Sequence, residues 1–211
     1  LDGTLLDTDP LHIAAFNELL AEFGKSVTAE YYNEKIMGAP MDQITLDLFP
    51  ELSAQERHAL GERKEALFRD QLSGPLEGRP GVSELFDWAR AQGVGICEVT
   101  NAPRESAVMM LLVLNLLNHV DHLLIGAELD KSKPDPYPYQ EAMRRLGITP
   151  QQALAFEDSG PGVQSAAAAG VFTFGMQGAL DADGLRKHGA SATIPDFTHA
   201  HLTEKLNHLV A

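Results

Sequence analysis

The sequence predicts a doubly wound α/β protein whose parallel sheet carries an inserted helical cap. Three observations predict it. From residue 94 onward, short apolar runs alternate with helical patterns, as parallel strands joined by crossover helices require. Residues 10–72 show helical periodicity and no strand pattern. Between these regions, Gly74-Pro75 and Gly78-Arg79-Pro80-Gly81 punctuate the chain. Residues 1–9 and 79–211 are therefore expected to form the α/β core, and residues 10–78 a helical cap between two chain crossings.

The elements follow in order. Asp9-Pro10 opens a helix whose apolar stripe is Ile13, Phe16, Leu19, Leu20 and Phe23, with Gly24 as its stop. Further helices are expected at about 29–37, 41–48 and 54–72. Residues 94–100 read as the first strand in view, and 103–117 as the helix after it. Residues 122–125 form the next strand, followed by a helix opened by Pro134, since proline is tolerated in a first turn. Residues 154–156 are a third strand, and the Ala-rich helix after them stops at Gly170. Residues 171–176 are a fourth, and 192–194 a short edge strand. No internal repeat is present.

Composition narrows the partners. Of 211 residues, 44% are hydrophobic and 22% charged, ordinary for a folded globular chain. The formal net charge of −14 argues against nucleic acid or an anionic membrane as partner. Monomer or weak dimer is the expected state. A negative protein that handles a negative substrate must gather positive charge locally, from a metal, a lysine or helix N-termini. The single cysteine, Cys97, forms no internal disulfide and suits a reducing, cytoplasmic setting. The apolar stretch 107–117 is too short to span a bilayer.

In an open parallel sheet, ligands bind beyond the carboxyl ends of the strands. Asp2-Gly3-Thr4 lies at the start of the chain, Thr100-Asn101 ends a strand, Lys133 follows the next, and Glu157-Asp158 ends another. Each has a plainer reading. Asp-Gly is a common turn, a lysine before proline is commonly solvated, and acids or hydroxyls at strand ends often cap helices. All four being plain at once is improbable, because the topology carries them to one rim.

These segments carry a resemblance. Leu1-Asp2-Gly3-Thr4 is similar to the end of the Asp-x-Asp-Gly-Thr motif of the haloacid dehalogenase superfamily. Thr100 matches its second motif, and Lys133 within Ser132-Lys133-Pro134-Asp135-Pro136 its third. Glu157-Asp158-Ser159, with Gly162 and Val163 ahead of an Ala-rich helix, matches the fourth. The order and spacing agree along nearly the whole chain. The resemblance implies a Rossmann-like core and a Mg²⁺-dependent phosphatase of a small phosphorylated metabolite, such as a sugar phosphate or phosphoglycolate. It implies an aspartyl-phosphate intermediate, with Asp2 as general acid and then base. Thr100 and Lys133 would contact the transferring phosphoryl group, and backbone N–H groups near Asn101 would face it. Mg²⁺ would be held by the nucleophilic aspartate, the backbone carbonyl of Asp2, Asp158, and Glu157 directly or through water. That nucleophile would immediately precede Leu1. A strand of about five to six residues is expected ahead of it, because the first strand of such a sheet is central.

Within the cap, His12 and Lys64 match positions that reach the catalytic region or substrate in the β-phosphoglucomutase-like branch. Surface positions on amphipathic helices are their plain readings. Arg104 is a candidate contact for phosphate or a substrate carboxylate. A phosphosugar mutase is the alternative activity. Against it, Gly38-Ala39-Pro40-Met41 offers methionine where the mutase is expected to carry a phosphate-gripping arginine. A dehalogenase of the same fold lacks the second acid, so Asp2 argues against that activity. Glu98, in an otherwise apolar strand, fits none of these roles.

Overall fold

In a computed structural model, described for residues 1–72, 74 and 76–209, the chain forms two compact units. One comprises Leu1–Asp7 and Glu77–Ala211, the other Thr8–Leu76. Pro75 of the Gly74-Pro75 break lies outside the described residues, as do Ser73, Val210 and Ala211.

The first unit is the α/β core. It holds helix α5 (Val82–Gln92), strand β1 (Cys97–Thr100), α6 (Arg104–Val113), β2 (His122–Ile125), α7 (Tyr137–Leu146) and β3 (Leu154–Glu157). Helix α8 (Gly160–Ala168), β4 (Phe172–Met176), α9 (Ala182–Lys187), β5 (Ala192–Ile194) and α10 (Ala200–Leu209) complete it. Every ladder is parallel: β1 pairs with β2, β3 with β4, and β4 with β5. Leu124, Phe174, Met176 and Ile194 are fully buried on these strands, as are Met110, Leu111 and Leu185 of the crossover helices. Burial on both faces is why the strands read as apolar runs rather than alternations.

The expected single sheet is resolved into two ladders, β1-β2 and β3-β4-β5. A cavity of about 470 Å³ lies between them, lined by Val99 of β1, Leu154 and Phe156 of β3, Leu5 and Tyr139. Glu98, the polar break in β1, also lines it.

Two elements differ locally from expectation. The Pro134 helix begins instead at Tyr137, because the Asp135 carboxylate accepts the Tyr137 N–H at 2.9 Å and makes a turn. Each residue before a proline also disfavours helix, and Lys133 and Asp135 both precede one. The helix expected over 103–117 stops at Val113, where Asn115 turns left-handed at φ 58°. The Leu116 N–H then closes on the Leu111 carbonyl at 2.8 Å.

The second unit is helical: α1 (Asp9–Ala21), α2 (Ala29–Tyr31), α3 (Met41–Leu48) and α4 (Ala54–Gln71). Its core joins Phe16, Leu20, Tyr32, Ile36, Phe49 and Leu60. The segment expected as one helix over 29–37 is a single α-turn, followed by a π-helical stretch at Tyr32–Ile36. Phe23 departs from its stripe. It follows the end of α1, is 41% exposed, and stands edge-on to Phe49. Ser53 and Glu56 form a reciprocal capping box at the start of α4. No helix among the described residues is long and apolar enough to cross a membrane.

Candidate active site

The carboxyl ends of β1, β2 and β3 share a rim with the first four residues. The Asp2-Gly3-Thr4 loop is tied to Asp158, the residue after β3. Thr4 Oγ1 donates to Asp158 Oδ1 at 2.6 Å. Gly3 has φ 68°, and a Cβ there would stand 2.1 Å from Asp158 Oδ2. Only glycine permits both the left-handed turn and this approach.

Arg79 secures the loop from the other side. Its Nε donates to the Gly3 carbonyl at 3.0 Å, and its Nη1 to the Gln177 carbonyl at 2.9 Å and the Pro195 carbonyl at 3.2 Å. Its N–H also donates to the Leu5 carbonyl at 2.7 Å. One guanidinium thus joins the N-terminal loop to the segments after β4 and β5. The sequence marks Arg79 only as part of a Gly/Pro break; its guanidinium's partners depend on the fold.

Lys133 reaches back across the rim. Nζ donates to the Val99 carbonyl at 3.1 Å and to Glu157 Oε1 at 2.7 Å. Both side chains of this ion pair are nearly buried. A lysine before a proline turn would ordinarily be solvated, so its burial on a carboxylate is informative. Asn101, exposed at the end of β1, donates from Nδ2 to the Lys133 carbonyl at 3.3 Å. Thr100 is buried, and its Oγ1 accepts the Ala102 N–H at 3.0 Å. Its own proton therefore points away from that amide.

The remaining candidates divide. Arg104 pairs bidentately with Glu128, through Nε at 2.7 Å and Nη2 at 2.5 Å, at an exposed position. His12 and Lys64 belong to the helical unit and are buried there together. Lys64 Nζ lies 2.6 Å from His12 Nδ1 and 2.9 Å from Glu65 Oε1. The His12 ring stacks on Phe68 at 3.8 Å, and the ammonium sits over Phe16 and Phe68. Neither residue is on a solvated helix face.

Charge at the rim is unbalanced. Burial pushes the Asp158 carboxyl up to about 6, and the negative charges of Glu157 and Asp2 push the same way, against the Thr4 hydrogen bond. Asp158 and the Asp2 loop offer hard oxygen donors whose repulsion a divalent cation would relieve, so the residues fit Mg²⁺. Among the described residues, no three His, Cys, Asp or Glu side chains by themselves gather around one point. A cation here would also draw on backbone oxygens.

A family model described as haloacid dehalogenase-like hydrolase matches residues 1–176. A phosphorylated carbohydrates phosphatase from Thermotoga maritima is 28% identical over 201 residues, covering 92% of this chain and 91% of the relative. A phosphoglycolate phosphatase from Nitrosospira multiformis is 32% identical over 179 residues, covering 82% and 79%. A solved HAD hydrolase from Entamoeba histolytica superposes with a TM-score of 0.87 over 100% of this chain and 96% of that one. At 21% identity, that likeness concerns the fold alone.

Proposed function

From the premise that the chain belongs to the haloacid dehalogenase-like hydrolase family and is a phosphoric monoester hydrolase, we propose that it is a Mg²⁺-dependent phosphatase of a small phosphorylated metabolite. The substrate class is a sugar phosphate or a phosphoglycolate-like compound. The names of the Thermotoga and Nitrosospira relatives support that class. The observation that carries the reading is the buried Lys133–Glu157 pair beside the Thr4–Asp158 bond, a cation and acids on one strand-end rim.

In this reading an aspartate immediately before Leu1 attacks phosphorus and becomes the aspartyl-phosphate. Its support is the resemblance of residues 1–4 to the end of the family's Asp-x-Asp-Gly-Thr motif. Asp2 gives a proton to the leaving alcohol, then takes one from the water that hydrolyses the intermediate. Thr100 donates its hydroxyl proton to a phosphate oxygen while its Oγ1 accepts the Ala102 N–H. Lys133 offsets the charge of the nucleophile and the phosphoryl oxygens. Backbone N–H groups near Asn101, ahead of α6, add donors. Asp158, the Asp2 carbonyl and Glu157, directly or through water, would hold Mg²⁺. The ion would supply charge neutralisation for the transferring phosphoryl group.

His12 and Lys64 are assigned to substrate recognition from the helical cap, and Arg104 to a second anionic group of the substrate. Met41 supports hydrolysis over the alternative phosphosugar mutase. Its side chain packs against Gly61 of α4 and brings no charge for a second phosphate.

The test is release of inorganic phosphate by the full-length protein from a panel of phosphorylated metabolites, with Mg²⁺ and with chelator. Turnover that stops on chelation is expected. No turnover on any member, or conversion of β-glucose 1-phosphate to the 6-phosphate without phosphate release, would reject the proposal.

A further inference from the structure

Lys133 must hold its ammonium at one place to serve a phosphoryl group, and a tyrosine of α7 bears on where that place is. Tyr139 Oη donates to Glu157 Oε1 at 2.5 Å, the same oxygen that takes the Lys133 ammonium at 2.7 Å. The other carboxylate oxygen is confined as well. A Cβ on Gly162 would stand 2.0 Å from Glu157 Oε2, so Oε2 rests against the backbone of α8. Tyr139 is half-buried and packs against two apolar clusters, one of Val99, Leu124 and Ala142 and one that includes Met143 and Ala155. Glu157 is thus held by a hydroxyl, an ammonium and a glycine backbone, and the Lys133 ammonium by that carboxylate and the Val99 carbonyl.

We propose that Tyr139 is a positioning residue: its hydroxyl fixes the Glu157 carboxylate that holds Lys133, so phosphate affinity depends on a phenol that does not touch phosphate. A carboxylate with one ammonium partner can rotate about its terminal torsion and carry a flexible lysine with it. A second donor on the same oxygen, from a ring packed on two apolar clusters, restricts that rotation further. The lysine brings a point charge on a four-carbon stem, which needs such support more than a planar guanidinium would. The bond falls in a site whose chemistry is positioning and electrostatics, where small displacements are expensive. This inference rests on the phosphatase reading for its consequence, but not for the contact itself.

The test uses full-length protein with Tyr139→Phe, which keeps the ring and removes only the hydroxyl. Nitrogen–proton correlation spectra report the Lys133 ammonium, calorimetry reports inorganic phosphate binding, and steady-state kinetics separate KM from kcat. The Lys133 resonance is expected to shift or broaden, and phosphate affinity to fall about three- to tenfold, the size of one hydrogen bond. KM is expected to rise in parallel and kcat to change less. In a Glu157→Gln background the same substitution is expected to add nothing further, because the phenol acts through that carboxylate. An unmoved Lys133 resonance overturns the proposal, and so does unchanged phosphate affinity or additive losses in the double variant. If the unaltered protein releases phosphate from no substrate, the phosphatase reading fails, while the Lys133 resonance still decides the role of Tyr139.

Discussion

The Thr4 hydroxyl donates to the Asp158 carboxylate at 2.6 Å, joining two residues 154 positions apart and tying the N-terminal loop to the end of β3. The bond satisfies a half-buried carboxylate, and its loss leaves that group to its like-charged neighbours. Thr4→Val keeps the volume and removes the donor. Unfolding in urea near neutral pH is expected to show a loss of about 1.5–3 kcal/mol, the worth of a hydrogen bond to a charged group. Phosphatase activity is expected to fall with it.

Gly3 permits that bond. Its φ of 68° strains any side chain, and a Cβ would meet Asp158 Oδ2 at 2.1 Å. Gly3→Ala is expected to cost about 1–3 kcal/mol from the backbone conformation alone. Asp158 must also move, so activity is expected to fall further than stability. Parallel denaturation and rate measurements on the same variant check this.

The Asp158 carboxyl is raised, from 3.8 to about 6, first by burial and then by the charge of Glu157. A folded-state value above the unfolded one means that the folded chain binds more protons in between. In metal-free protein, this group's contribution to stability is therefore complete below pH 3.8 and is lost as pH rises through 6. Mg²⁺ would compete with that proton, so its affinity is expected to climb as pH rises through 6. Carboxyl carbon chemical shifts with and without Mg²⁺ would read the titration. A carboxyl titrating at its ordinary value would contradict it.

Lys133 and Glu157 are nearly buried together, and removing one strands the other. Lys133→Met is expected to cost about 3–5 kcal/mol, the usual penalty for an orphaned buried charge. Adding Glu157→Gln removes the orphan, and part of the stability is expected to return. Phosphate release is expected to stay lost in both, which separates the lysine's electrostatic work from its place in the fold.

Arg104 is bound to Glu128 at an exposed position, so it can serve a substrate only by leaving that carboxylate. Glu128→Gln weakens the competitor and is expected to lower KM for a substrate with a second anionic group. Arg104→Ala is expected to raise it. Equal KM values in all three proteins would remove Arg104 from the site.

The fold was legible wherever local pattern decides it. Asp9-Pro10 opens α1, Gly147 and Gly170 follow the last turns of α7 and α8, and the buried strands read as apolar runs. Reading failed where one residue overrules periodicity. Asp135 captures the Tyr137 N–H and delays α7, while Asn115 turns left-handed and ends the approach to 117. Neither effect leaves a trace in apolar spacing.

The candidate site was legible as residue types at strand ends, because topology alone carries the ends of parallel strands to one rim. Its partnerships were not. Tyr139 lies two positions from Tyr137 in the same helix, and only the first reaches Glu157, while Tyr137 Oη comes 3.5 Å from Asp130. The alternation of elements and the choice of acids, hydroxyl and lysine are therefore properties of the chain by itself, since both depend on neighbours within a few residues. The two-ladder pairing, the burial of Lys133 against Glu157, the reach of Arg79 to three separate segments and the pairing of Arg104 were decided only by tertiary structure. Each of those depends on the direction a side chain takes after distant segments pack, and direction is set by the packed surface rather than by sequence separation.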